Sequence, residues 1–369
     1  MSLQIIRGPA GSGKTTECIR RGLLMSGRGQ HVLFIVPEQN TAAVERQIVH
    51  ASDRGAILNL EIVSFNRLAC KVLDEVGRNG GQILDDTGKN LIVRRILKEN
   101  KKELTYFAGM QTRQGFVAKM RSALSELSQY GIRPEQLLAA AGALEKKGGQ
   151  TALKAKDLAL LAGKFSDCLS ENYTTAEELM QLLLRSVSDS RLLKESALVF
   201  DGFTGFTPVQ YELFGRFLSL SPSVTVSVTL PADEDESVIR EGELFAMSKR
   251  FLVRMREEAD RESVPELPEI ILTDDLRHAE SPELSFLSAH FLRPGKAQTA
   301  PETGAVRLVA GEDRKHELGL VIDEIVRLTR QEGYRYRDIA VVTPDLEGYG
   351  LLASQMFREA GVPAFVDDR

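Results

Sequence analysis

The chain has no tryptophan and only three cysteines, Cys18, Cys70 and Cys168, scattered through 369 residues. An odd, dispersed set neither staples a small secreted fold nor forms a spaced zinc cluster, and it fits a reducing cytoplasm. The five histidines, His31, His50, His278, His290 and His316, show no metal-ligand spacing either. No apolar run approaches the ~18 residues that span a bilayer. The opening MSLQIIRGPAGSG lacks the basic and apolar regions of a signal peptide. A cytoplasmic protein without a membrane partner is therefore expected. No nucleophile-elbow motif for acyl transfer is present. Basic residues are not in excess: 47 Lys and Arg face 52 Asp and Glu, for a net charge of −5. That balance excludes a uniformly basic nucleic-acid binder but leaves room for a local basic channel. What the chain does have is an ordinary globular composition, 43% hydrophobic and 27% charged, over a length that suits two to three domains.

The first forty residues carry the strongest motif. Leu3 to Arg7 reads as a buried strand, and Thr16 to Ser26 reads as a helix. Between them runs Gly8-Pro9-Ala10-Gly11-Ser12-Gly13-Lys14-Thr15, the pattern G-x-x-x-x-G-K-[ST] in its required setting. Glycines let successive backbone N–H groups converge on a phosphate, and the helix N-terminus adds its positive dipole end. Lys14 is placed to reach the β- and γ-phosphates of ATP, Thr15 to ligate Mg²⁺, and Thr16 to follow them into the helix. The run Ala197–Asp201 ends a second apolar strand on an acid, so Asp201 is the candidate metal-side carboxylate; its alternative role is to cap a turn. The next residue is Gly202, where a helicase-type site carries a glutamate base, so binding of Mg-nucleotide with poor cleavage is expected.

Apolar runs at 32–36, 60–65, 197–201 and 224–230 join the first strand to predict a five-stranded parallel α/β sheet. Residues 68–194 show helix periodicity almost throughout, as in Phe116–Tyr130, which predicts an all-helical insertion. Beyond a linker-like stretch at 293–304, strands at 306–309, 339–342 and 364–366 alternate with two helical patterns, the beginning of a second α/β fold expected to continue past residue 369. The boundaries are 1–75 plus 190–292, 76–189 and 305–369. Charge is uneven. Residues 88–102 hold six bases and one acid, while 233–275 hold 14 acids and six bases. The basic stretch suits a phosphate backbone or a solvated helix face, and the acidic one a solvated loop and helix.

This layout resembles a superfamily 1 helicase: a P-loop (RecA-like) domain 1A, a helical domain 1B and the start of a domain 2A. VLFIVPEQNT at 32–41 and IVSFNRLAC at 62–70 resemble its single-strand-binding motifs, and FDGFTGFTPV at 200–209 a degenerate Walker B segment. VPEQ, SFNRLA, YGIRP, DGFTGFTP and EGYRYRDIAVV, in this order along the chain, are similar to the B-subunit family of AddAB-type helicase–nucleases, which process double-strand DNA ends. The resemblance implies an ATP-binding subunit of a helicase/exonuclease that has left the motor to an AddA-type partner in a heterodimer. It implies contact with single-stranded DNA of the Chi type through Gln39, Thr41, Phe65, Arg67 and Phe203. Aromatic rings stack on bases, and Arg and amide groups meet phosphates and base edges; the other reading of Phe65 and Phe203 is as core residues beside strand ends. Cys70 departs from the pattern, where an aromatic DNA contact is expected. Only seven residues precede Gly8, which leaves no room for the upstream Gln that reads adenine in related helicases; no Gln-bearing motif follows the segment 224–230, and Pro344 stands where an active motor tends to place Arg. The family's nuclease and iron–sulfur cluster are expected beyond residue 369. The alternatives are an active superfamily 1 helicase, for which Glu after Asp201 is the discriminating residue, and a small-molecule P-loop kinase.

Overall fold

A computed structural model describes residues 1–52, 59–78, 82–110, 113, 115–145, 150–291 and 301–367. Its centre is a parallel sheet built from the strands β1 (Leu3–Gly8), β2 (His31–Ile35), β3 (Leu60–Val63), β6 (Ser196–Phe200), β7 (Val224–Thr229) and β8 (Ile270–Ile271). Their spatial order is β3-β2-β6-β7-β1-β8. Every pairing is parallel, as in Ile5 opposite Val226 and Leu33 opposite Leu198. Near-continuous apolar runs are what a sheet covered on both faces demands, and every residue of β6 is buried. The two-residue alternation of a strand sends Ile5 to one face and Ile6 to the other. On the Ile6 side, α1 (Lys14–Gly27) and α2 (Thr41–Ala51) close a core with Ile19, Phe34, Ile48 and Val199. The opposite face is larger. There α3 (Phe65–Glu75), α8 (Ala176–Ser186), α10 (Pro208–Leu220) and α11 (Ala246–Arg261) bury Leu68, Phe200, Phe214, Phe217 and Phe251.

The sheet differs from expectation in two places. First, β3 stops at Val63, because Ser64 turns the chain into α3 and its hydroxyl accepts from the Arg67 N–H at 3.3 Å. Second, the acidic stretch contributes β8, a strand too short for periodicity to reveal. The acids beside it are not simply solvated. Glu269 lies 3.0 Å from Arg7 on β1 and 2.6 Å from Arg256 on α11, and Arg256 also meets Glu236 and Glu266. These ion pairs bind strand, edge and helix together.

Between α3 and β6 the described residues are mainly helical: α4 (Asp86–Glu99), α5 (Phe116–Gln129), α6 (Pro134–Glu145), α7 (Gln150–Asn172), α8 and the single turn α9 (Arg191–Glu195). A two-residue ladder pairs β4 (Gln82–Ile83) with β5 (Tyr173–Thr174). α4, α5 and α7 have a core of their own around Val93, Leu97, Phe107, Met120, Leu124 and Phe165. Asp157 on α7 steadies it, its carboxylate accepting from the backbone N–H groups of Thr105 and Phe107.

The chain divides into two compact units, Met1–Ala279 and Glu280–Arg369. Most of the linker-like stretch at 293–304 lies outside the described residues. The second unit holds α12 (Pro282–His290), α13 (Arg314–Gln331) and α14 (Leu346–Glu359), the last two packed around Ile322, Ile325, Phe357 and Val362. The strands expected at 306–309, 339–342 and 364–366 do not form: no ladder occurs among residues 301–367. Leu308, Val342 and Phe365 are 100, 90 and 80% exposed. A parallel strand needs a neighbour and a covering layer, so β-propensity at these positions yields extended chain rather than a sheet.

Candidate functional site

The turn from β1 into α1 is made by glycines that other residues would strain. Gly11 and Gly13 both sit at φ +86°, in the left-handed region. A Cβ on Gly8 would lie 2.4 Å from the Leu272 carbonyl oxygen and 2.5 Å from Ser12 Oγ. The residue ahead of α1 is Gly13, so no side chain caps the helix, and its first N–H groups are left to a ligand. Ser12 is buried, and its hydroxyl finds no hydrogen-bond partner. A loop of uncapped amides around an orphaned hydroxyl is a cradle for an oxyanion, so the residues present fit a phosphate group.

Two groups from distant sequence complete the arrangement. Asp201, buried just beyond β6, accepts the Thr15 hydroxyl at 2.8 Å and the Ser227 hydroxyl at 2.5 Å. Adjacent strands β6 and β7 hold this carboxylate at the head of α1, where Thr15 and Asp201 together offer the oxygen donors that Mg²⁺ prefers. Lys14 donates to the Gly8 and Pro9 carbonyls at 3.0 and 2.6 Å. Burial, opposed by Asp201 and reinforced by Arg277, lowers its ammonium pKa to about 8. An open cavity of about 1320 Å³ runs from the loop along α1, lined by Lys14, Thr15, Ile19, Leu23, Asp201 and Arg277.

Sequence alone does not single out Arg277. It follows β8, whose position beside β1 carries residues 272–278 over the loop. Leu272 N–H donates to the Arg7 carbonyl at 2.8 Å, and Arg277 N–H to the Gly11 carbonyl at 3.2 Å. Within this strap Asp275 meets His278 at 3.0 Å. Ser227 is equally silent in the sequence; a hydroxyl in an apolar strand signals nothing until its neighbour is known.

The residues expected to meet DNA lie along the same carboxyl edge of the sheet, beyond β3, β2 and β6. A Cβ on Gly202, at φ +79°, would lie 3.3 Å from Asn40 Nδ2, and Asn66 donates to Glu38 at 3.1 Å, so these turns adjoin. Gln39 and Arg67 are exposed. The Thr41 hydroxyl donates to the Glu38 carbonyl at 2.9 Å. Phe65 is different: it is 6% exposed and packs on Phe200, Phe203 and Phe206 with centroids 5.6–5.9 Å apart. Phe203 is half-buried in the same ring cluster. Both rings belong to the core that supports the edge. Cys70 is half-buried beside them.

A six-stranded parallel sheet between helical layers, with a glycine loop at the carboxyl edge, defines an α/β protein consistent with the RecA-like class. Within that class the chain belongs to the AddB family, whose N-terminal family model, "ADDB, N-terminal", matches residues 5–288. The B subunits of proteins called ATP-dependent helicase/deoxyribonuclease are similar over the whole chain. That of Lachnoclostridium phytofermentans is 32% identical, with 100% of this chain and 33% of the relative covered. Those of Geobacillus kaustophilus and Symbiobacterium thermophilum are 31% identical, with 100% of this chain and 32% of each relative covered. The chain thus spans about a third of the length of these relatives.

Proposed function

We propose that this chain is the nucleotide-binding and DNA-contacting N-terminal part of a helicase–nuclease B subunit that processes DNA ends together with an AddA-type partner. ATP binds with its phosphates on Gly8–Thr16, Lys14 toward the β- and γ-phosphates and Arg277 as a second cation above the loop. Thr15 and Asp201 hold Mg²⁺, which shields phosphate charge when bound. The observation that carries this reading is the 2.8 Å bond between Thr15 and Asp201, which joins the two halves of a metal–phosphate site across 186 positions of sequence.

The site holds nucleotide without turning it over efficiently. Hydrolysis needs a group to orient the attacking water, and the position after Asp201 is a glycine whose left-handed backbone disfavours any side chain. Within 76–189, α4 to α7 form the inserted domain 1B while α8 packs on the sheet, and 305–369 belongs to domain 2A. Single-stranded DNA runs along the carboxyl edge, the usual place for ligands on an open α/β sheet, where Gln39, Thr41 and Arg67 meet it over a floor of Phe65 and Phe203.

The test is nucleotide binding and phosphate release by the purified chain, with and without single-stranded DNA. ATP·Mg binding lost in Lys14→Ala, with little DNA-stimulated release in either protein, is expected. Robust DNA-dependent turnover would make it an active helicase, and turnover that requires a small-molecule acceptor would make it a kinase.

A further inference from the structure

We propose that the outward face of α4 is a docking surface for the phosphate backbone of duplex DNA, separate from the carboxyl edge. The helix has two unlike sides. Lys89, Val93, Ile96 and Leu97 are buried, the last three on the core that includes Phe107, Met120 and Phe165. On the opposite side Leu91, Arg94, Arg95 and Lys98 are exposed, at i, i+3, i+4 and i+7, and Lys101 and Lys102 are exposed in the turn that follows the helix.

Acids do not balance this row. Arg95 is paired with Glu99 at 2.9 Å. Arg94, Lys98, Lys101 and Lys102 have no acidic partner among the described residues. Exposed helices ordinarily interleave opposite charges at i,i+4, whereas Arg94 and Lys98 stand there with like charge. On a chain of net charge −5, four of the five exposed cations here therefore stand without an acid among the described residues, an uncompensated positive surface suited to a polyanion.

The row also separates duplex from single strand. It carries no aromatic ring, and base stacking is the main handle on an unpaired strand. It offers charge alone on a helix held by its own core, spaced about 6 Å along the axis from Arg94 to Lys98 at 1.5 Å per residue. Duplex DNA presents one negative charge per ~1.7 Å of axis, so consecutive cations each find a phosphate without sequence preference. The inference rests on the function proposed above only in taking DNA as the polyanion.

The test measures anisotropy of a labelled duplex of about 30 base pairs with the purified chain at several salt concentrations. Replacing Arg94, Lys98, Lys101 and Lys102 together by Gln is expected to weaken duplex binding at least tenfold and to reduce the slope of log K against log salt by about three to four, near 0.9 per lost phosphate contact. The charge-keeping pair Arg94→Lys and Lys98→Arg is expected to bind as the parent does. Unchanged affinity and slope in the Gln variant overturns the proposal, as does loss of binding to anionic lipid vesicles or polyglutamate with duplex binding intact. ATP binding and the far-UV spectrum report that each variant is folded. Gln39→Ala with Arg67→Ala is expected to weaken an unpaired oligonucleotide and spare the duplex, so failure at the edge and failure at α4 are read separately.

Discussion

At residue scale the chemistry turns on Lys14 and Gly202. Burial holds the Lys14 ammonium at about 8, while a bound phosphate favours its charged form. The protonated fraction falls from about nine-tenths at pH 7 to about one-tenth at pH 9. Nucleotide affinity is therefore expected to drop about tenfold over that interval, with proton uptake on binding at pH 9, read by calorimetry in two buffers. Gly202 sets the second expectation. Its φ of +79° and the Asn40 amide 3.3 Å from a built Cβ leave no relaxed place for glutamate. Gly202→Glu is expected to lower stability by about 1–2 kcal/mol in thermal melts and to leave phosphate release unraised. Phe65, inside the ring cluster, gives the third: Phe65→Ala is expected to cost about 3–5 kcal/mol, the cost of an emptied core site, whereas Arg67→Ala leaves the melt unchanged and weakens single-strand binding. These residues were unevenly legible. The glycine–lysine spacing is a backbone requirement and can be read directly, and Asp201 could be read because it ends an apolar run. Phe65 reads equally as stacking ring or core, since burial depends on what folds against it. Arg277 carries no local signal at all.

At the scale of elements, capping explains where the helices lie. Thr175 and Thr207 open α8 and α10 with reciprocal capping boxes. Glu75, at the end of α3, accepts the Ser190 hydroxyl at 2.6 Å and the Arg191 and Leu192 N–H groups at 2.9 Å. It thus caps α9 across more than a hundred residues and returns the chain from the helical region to β6. Despite some burial that opposes it, these hydrogen bonds hold its carboxyl below the usual range. The carboxylate's contribution is present above the ordinary glutamate pKa and is lost as pH falls through the lowered one. Glu75→Ala is expected to cost about 1 kcal/mol near neutrality and less at acid pH, measured by denaturant titration at both. Periodicity of 3.6 made α1, α5, α13 and α14 legible. β8 was not, because two residues have no period and only the ion pairs of Arg7 and Arg256 fix its place.

For the molecule as a whole, the two units are unequal in core. The first has a sheet covered on both sides, while the described residues of the second bury five apolar side chains, Leu318, Ile322, Ile325, Phe357 and Val362. Hydrogen exchange is expected to find α13 and α14 far less protected than β1, β2 and β6; equal protection would show that the second unit is as stable as the sheet. The strands expected there do not form although local propensity was legible, because no neighbouring strand among residues 301–367 converts it into a ladder. The order of the sheet bears on how the protein is made. β1 contains the start of the glycine loop, yet its partners are β7 and β8, whose residues lie more than 200 positions later. At about 5–20 residues per second of synthesis, the loop emerges unsupported and waits ten seconds or more for the strands that flank it. The glycine loop, first in the chain, is among the last parts of the first unit to be completed.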